Sequence, residues 1–172
     1  MPLHVAMLEP QTAPVVGAVA RQCAAVDASL HLVGPLPFAA DDERFRRAGP
    51  DDWSRLDWWL HPGWRDFRDA MSRERCLYFA IDGEREAEAA PFRGNSVLVV
   101  GTEDGLLPER IREKYPQRIF RLPMPPRKRK VDLGASVELL LGVAAEGVAA
   151  RTASVVATPA APMRYGRGRQ RR

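Results

Sequence analysis

The chain has 172 residues, 45% hydrophobic, 8% aromatic and 28% charged, which fits one domain with a single sizeable core and excludes a disordered chain. Its two cysteines, Cys23 and Cys76, exclude a disulfide framework and a four-thiolate zinc site, and point to a reducing setting. The excess of 26 Lys/Arg over 22 Asp/Glu gives a net charge of +4, a pointer toward an anionic partner such as RNA.

In chain order, His4–Leu8 reads as a buried strand. Pro14 suits the first turn of a helix that continues from Val15 to Val26. Leu30–Gly34 is a second strand, and Pro35–Phe38 a loop. Asp41 and Asp42 can cap a short helix that reaches Arg47 and stops at Gly49-Pro50. Trp53, Trp58, Trp59 and Trp64 crowd the next stretch. Trp64–Met71 follows as a helix with Trp64, Phe67, Arg68 and Met71 on one side. Cys76–Ile81 has strong β propensity. Residues 83–95 form a polar loop. Ser96–Gly101 is wholly apolar, as a strand covered on both faces must be. A short helix spans Leu107–Tyr115 and a strand Arg118–Leu122. Residues 123–132, PMPPRKRKVD, are too proline-rich and charged for either element. A last helix runs from Asp132 to Ala149, with Val137, Leu140, Leu141 and Ala144 facing the core. From Arg151 the pattern dissolves into a basic arm. The reading is a domain over 1–150 and a disordered basic arm over 151–172.

This alternation means α/β with a mainly parallel sheet. Ligands in such sheets sit beyond the carboxyl ends of strands, here the loops after Leu8, Gly34, Ile81, Gly101 and Leu122. The charge is uneven. Residues 1–109 carry 11 Lys/Arg against 18 Asp/Glu, whereas residues 110–130 carry nine basic residues and one acid. Residues 147–172 hold six Arg and no acid.

Several chemistries lack their residues. Gly17 stands alone, so there is no dinucleotide fingerprint, and no Walker-type phosphate loop or G-x-S-x-G elbow occurs. His4, His31 and His61 are scattered, without metal spacing, and read as structural or surface residues; no metal is expected. The tryptophans read as core rather than as a base-stacking platform. No run of 18 apolar residues predicts a membrane span. The start, MPLHVAMLEP, reads as neither a secretory signal nor a mitochondrial presequence. The expected location is intracellular, cytoplasmic or mitochondrial.

Three segments taken together resemble one family: LEPQTAPVVGAVARQCAAVDASLHLVGPLPFAADDERFRRAG (8–49), VLVVGTEDGLLPERI (97–111) and RLPMPPRKRKVDLGASVELLLGVAAE (121–146). They are similar to the SPOUT superfamily of knotted methyltransferases, closest to the tRNA cytidine-34 2′-O-methyltransferases and their SpoU-type relatives. The resemblance implies a parallel sheet with a deep trefoil knot in its C-terminal part. It implies S-adenosylmethionine held in the knot by three loops, with Ile81, Gly101, Leu107, Leu122, Met124, Lys130 and Leu133 at cofactor positions. It also implies a homodimer with RNA lying across both subunits; a heterodimer is the other arrangement. Arg21 matches the family's reactive arginine and Glu103 the acid of its second motif. A guanidinium stays charged in proteins, so orienting the ribose hydroxyl and a phosphate suits Arg21 better than proton abstraction. A salt bridge from Arg21 to Glu9 or Glu103 is the purely structural alternative. Arg47, Arg127, Lys128 and Arg129, with Arg167 and Arg169 in the arm, are the candidate RNA contacts.

The chain departs from the family at polar positions. Val15 and Ala18 stand where the first motif has Asn. In the second motif Gly105 replaces Arg and Leu106 replaces Gly. In the third, Lys130-Val131-Asp132-Leu133-Gly134-Ala135 keeps only Leu133 of Ser-Leu-Asn-Leu-Ser-Asn or its near variants. Two readings follow. One is an S-adenosylmethionine-dependent RNA ribose 2′-O-methyltransferase acting on tRNA or rRNA. The other is a catalytically inactive SPOUT module that binds structured RNA as an assembly or structural factor. A cation at Lys130 would oppose a sulfonium unless Asp132 or Asp104 offsets it.

Overall fold

A computed structural model describes residues 2–39 and 41–157. The elements are β1 (His4–Leu8), α1 (Ala13–Ala25), β2 (Ser29–Val33), α2 (Glu43–Ala48), β3 (Trp58–His61), α3 (Trp64–Ala70), β4 (Cys76–Ala80), β5 (Val97–Val100), α4 (Glu109–Lys114), β6 (Ile119–Arg121) and α5 (Leu133–Ala157). The six strands make one sheet in the order β3-β2-β1-β5-β4-β6. Every pairing is parallel.

Successive strand residues point to opposite faces, and here both faces are dry. Val5, Met7, Leu30, Leu32, Leu77, Phe79, Leu98 and Val100 pack under α1, α2 and α5. Ala6, Leu8, Val33, Tyr78, Ala80, Val97 and Val99 face the opposite way, against Phe67 of α3 and Ile111 of α4. This double burial is why β4 and β5 read as unbroken apolar runs.

Helix packing is close where side chains are small. A Cβ on Gly17 would lie 2.5 Å from Ala48 Cβ, so α1 and α2 touch backbone to backbone. A Cβ on Gly134 would lie 3.0 Å from Ala18 Cβ, which sets the approach of α5 to α1. Asp42 caps α2 by accepting a hydrogen bond from the Arg44 N–H at 2.9 Å.

Three elements differ from expectation. β3 falls in the tryptophan stretch, where no strand is predicted; at the sheet edge Trp59 and Leu60 are both exposed, so neither alternation nor a buried run marks it. The polar loop 83–95 carries a 3-10 turn at Ala87–Ala89 and buries Ala87, Ala90 and Phe92. α5 continues to Ala157, past the predicted end at Ala149. Within Leu133–Val155 an 18-residue stretch reaches a mean hydropathy of 1.5, long and apolar enough to cross a membrane by composition alone. Its stripe of Leu133, Val137, Leu140, Leu141 and Ala144 is buried on α1 and the sheet, the placement of a core helix.

β6 has partners on both edges. On one side Leu122 N–H donates to Ala80 O at 2.8 Å beside the β4 pairing. On the other, Arg121 N–H donates to Arg85 O at 2.6 Å, and Arg85 bridges Phe120 in parallel. The segment after β4 therefore passes around the far side of a strand that comes later in the chain.

Candidate active site at the carboxyl end of the sheet

The loops that follow β4, β5 and β6 converge. The loop after β5 is a tight turn. Gly105 N–H donates to Thr102 O at 2.9 Å, and Thr102 N–H to Leu106 O at 3.3 Å. Asp104 supports it from inside, accepting from Thr102 Oγ1 at 2.6 Å and from Leu106 N–H at 3.0 Å. The Thr102 hydroxyl, first among the causes, and the Leu106 N–H hold the Asp104 carboxyl below its usual range. Gly105 has φ +75°, which favours glycine. A Cβ there would come within 2.5 Å of Ile81 and 3.3 Å of Val131. Ile81 N–H donates to Gly105 O at 2.9 Å. Ile81, Gly105 and Val131 thus bring the three loops to one place. At Gly101 a Cβ would sit 1.9 Å from Leu106 O.

The positions expected to hold a cofactor fall here in two groups. Gly101, Leu107, Leu122 and Leu133 are buried, and Ile81 and Met124 partly so. Lys130 is exposed. The cation that meets an acid is Lys128, whose Nζ donates to Asp132 Oδ2 at 2.7 Å. Asp132 Oδ1 accepts from Ala135 N–H at 3.1 Å and so caps α5. Together, Lys128 first, these lower the Asp132 pKa. The offset expected for Lys130 is spent on Lys128, and Asp104 is occupied within its own turn.

Glu103 faces back toward β1. Its Oε1 accepts from Gln11 N–H at 2.8 Å, Thr12 N–H at 2.9 Å and Thr12 Oγ1 at 3.3 Å. It pins the entrance of α1 to the β5 loop. Arg21, by contrast, meets α2. Its Nη2 donates to Ala48 O at 3.1 Å, and it borders an open depression with Pro50 and Asp51. The salt bridge to Glu9 or Glu103 does not form; Glu9 pairs with Arg110 at 3.1 Å. Of the RNA candidates, Arg47 pairs with Glu43 at 2.5 Å, both exposed. Arg127, with φ +67°, and Arg129 are exposed beside Lys130, and the side chains of all three are free of ion pairs among the described residues. Arg167 and Arg169 lie outside the described residues.

Two further features are not singled out residue by residue in the sequence. One is a cleft of about 610 Å³ beside the loop after β4, lined by Asp82, Gly83, Glu84, Arg85, Arg112 and Ile119 and crossed by the Arg112–Asp82 ion pair. The other is Ser136, fully buried in the first turns of α5 with a hydroxyl that meets no partner among the described residues. Among the described residues no group of three His, Cys, Asp or Glu is placed to hold a metal ion.

The SpoU rRNA methylase family matches residues 2–142. The chain belongs to that family. It is 32% identical over 138 residues to the tRNA (cytidine(34)-2′-O)-methyltransferase of Methylovorus glucosotrophus, covering 80% of this chain and 90% of that protein. The enzyme of the same name from Acidovorax is 36% identical over 140 residues, covering 78% and 85%. A solved structure concerned with 2-OH methylation of C/U34 on tRNA superposes with a TM-score of 0.74 at 30% identity, over 86% of this chain and 91% of that one. The SpoU methyltransferase AviRb of Streptomyces viridochromogenes, in complex with AdoMet, shares the fold at a TM-score of 0.65 and 19% identity, over 88% of this chain and 61% of that one.

The positions expected to depart from the family pattern lie against one another. Ala18 and Gly134, where the resemblance implies polar residues, form the close α1–α5 contact. Gly105 packs toward Val131. Small apolar contacts stand where polar groups were expected.

Proposed function

We propose that the chain is an S-adenosylmethionine-dependent RNA ribose 2′-O-methyltransferase with tRNA as its substrate. The observation that carries this reading is the convergence of the three loops at Ile81, Gly105 and Val131 in a member of the SpoU family. The residues suit the cofactor. Gly101 lets the β5 loop fold tightly, since a side chain there would collide with the Leu106 carbonyl, and Leu107, Leu122 and Leu133 give apolar walls. The unpartnered hydroxyl of Ser136 on the α5 side supplies a polar group. S-adenosylmethionine, when bound, supplies an electrophilic methyl group. The chain's own part is to place the ribose hydroxyl. Arg21 orients that hydroxyl and the adjacent phosphate as a fixed cation, while Glu103 holds the α1 entrance against the β5 loop. Arg127, Arg129 and Lys130 present unpaired charge to the RNA backbone.

Three finer readings accompany it. A C-terminal knot is supported by the two-sided pairing of β6 with β4 and Arg85, both earlier in the chain. A homodimer is supported by the apolar strip around Leu3, Val26, Leu141, Gly142, Ala145 and Val148, which lines a groove of about 420 Å³. An intracellular location follows from the substrate. Lys130 or Leu106 filling the cofactor space would have favoured the inactive reading, and Lys130 is exposed.

The test is methyl transfer from labelled S-adenosylmethionine to tRNA transcripts, with ribose methylation mapped by resistance to alkaline cleavage. Transfer to one ribose, lost in Gly101→Val together with cofactor binding by calorimetry, is expected. No binding and no transfer by the wild-type chain overturns the reading.

A further inference from the structure

Three histidines that the sequence scatters meet on one face of the sheet. His4 Nδ1 lies 3.0 Å from His31 Nε2, and His31 Nδ1 lies 3.0 Å from His61 Nε2. His4 opens β1, His31 is the middle of β2 and His61 closes β3. The parallel register pairs Ala6 with His31 and Val33 with His61. The rings therefore step diagonally across three strands on the face that α3 covers. Trp59 stacks on His31 with centroids 4.8 Å apart and planes at 11°. Phe67 of α3 meets His31 and His61 edge-on at 6.0 and 5.3 Å. His31 and His61 are buried and His4 is partly open. His31 uses each ring nitrogen toward a different neighbour, so the set is a line and not a cage.

We propose that His4, His31 and His61 form a single-proton chain that latches the edge strand β3 to β1 and β2 and releases it in acid. The proton count carries the argument. Each neutral imidazole has one N–H and one acceptor nitrogen. Three neutral rings supply both inner hydrogen bonds, N–H to N, with the third N–H at one end. A fourth proton fits on the free outer nitrogen, at His4 Nε2 when the chain runs toward His61. Both bonds survive, and the charge is shared along the line. A fifth proton has no outer site left. It must enter one of the inner bonds, where two N–H groups then face each other and two cationic rings stand side by side. The line holds one extra proton and no more.

The surrounding charges set when that happens. Arg75, in the turn before β4, opposes protonation of His4 and His31, whereas Asp57 before β3 favours a proton on His4 and Asp66 of α3 favours one on His61. Burial, the largest effect, lowers all three and holds His31 down to about 3, with His4 and His61 adding to it. A histidine whose folded pKa lies below its unfolded value gives stability that is complete above about pH 6.5 and is lost as pH falls toward the folded value. The strand released is the one that carries exposed Trp59 and Leu60.

The test follows the imidazole resonances of the full chain by NMR from pH 8 to 4, with amide protection factors of Trp58–His61 measured alongside. The three rings together should take up about one proton while β3 stays protected. The second should arrive with loss of protection in β3 before β1 or β5 loses it. His31→Phe keeps a ring on Trp59 and removes both bonds. In it His4 and His61 should titrate separately, taking up about two protons in total. Two or three ordinary titrations near pH 6.5 in the wild-type chain, with β3 protection intact, overturn the proposal. Should His31→Phe not fold, the wild-type titration decides alone.

Discussion

Glu103 shows how a residue at a motif position can work through the backbone. All three of its hydrogen bonds converge on Oε1, and two come from backbone N–H groups at the start of α1. These donors have no partner inside the helix, so Glu103 serves them as a cap would. A positioning role and a role in proton transfer separate under substitution. Glu103→Gln keeps an acceptor oxygen and should retain most cofactor affinity and activity. Glu103→Ala hands the exposed donors to water and should cost about 0.5–1.5 kcal/mol, or about 2–4 °C in Tm for each kcal/mol in a chain of this size. Thermal melts and turnover of the two variants check this together. If Gln is as inactive as Ala while its Tm is unchanged, the carboxylate acts on the reacting groups and the capping account fails.

At the scale of elements, the loop between β6 and α5 divides its charges. Lys128 is spent on Asp132, which in turn caps α5, whereas Arg127, Arg129 and Lys130 are exposed and make no ion pair among the described residues. Changing those three to Ala should weaken RNA binding across sequences and reduce the slope of log K against log salt by about 2–3. Lys128→Ala should act on α5 instead, by removing the support it gives Asp132. RNA-binding titrations over a salt series distinguish them; equal slopes for wild type and the triple variant would remove the loop from the RNA surface. Much of this architecture is legible in the sequence. The dry runs HVAML, CLYFA and SVLVVG announce buried parallel strands, and Asp42 announces its cap. What is not legible depends on lateral neighbours. β3 shows no periodicity, because an edge strand with Trp59 and Leu60 exposed satisfies neither pattern. The histidine line depends on register between strands about 30 residues apart, which no local spacing encodes. The partners of Arg21 and Glu103 escape for the same reason: one lies on α2 and the other at the turn after β1.

For the whole molecule, the net charge of +4 is the difference between an acidic body and a basic end. The observed helix boundary changes how that end should be tested. α5 runs to Ala157, so cutting at residue 150 would remove helix as well as charge. Truncation after Ala157 keeps all of the described helix and removes Arg164, Arg167, Arg169, Arg171 and Arg172, taking the net charge from +4 to −1. If these arginines meet phosphates, the truncated chain should bind tRNA more weakly. Its salt slope should then fall by up to about 0.9 for each phosphate no longer neutralised on duplex-like surfaces, or about 0.7 on single strands. Cofactor binding should be unchanged, since the three loops end at Leu133. The control is the triple loop variant in the truncated background. Well-separated phosphate interactions contribute independently, so the two reductions in slope should add. A truncated chain with full affinity and an unaltered slope assigns the electrostatic footprint to the loop alone. A loss of S-adenosylmethionine binding would instead mean that the C-terminal residues support the fold of the site.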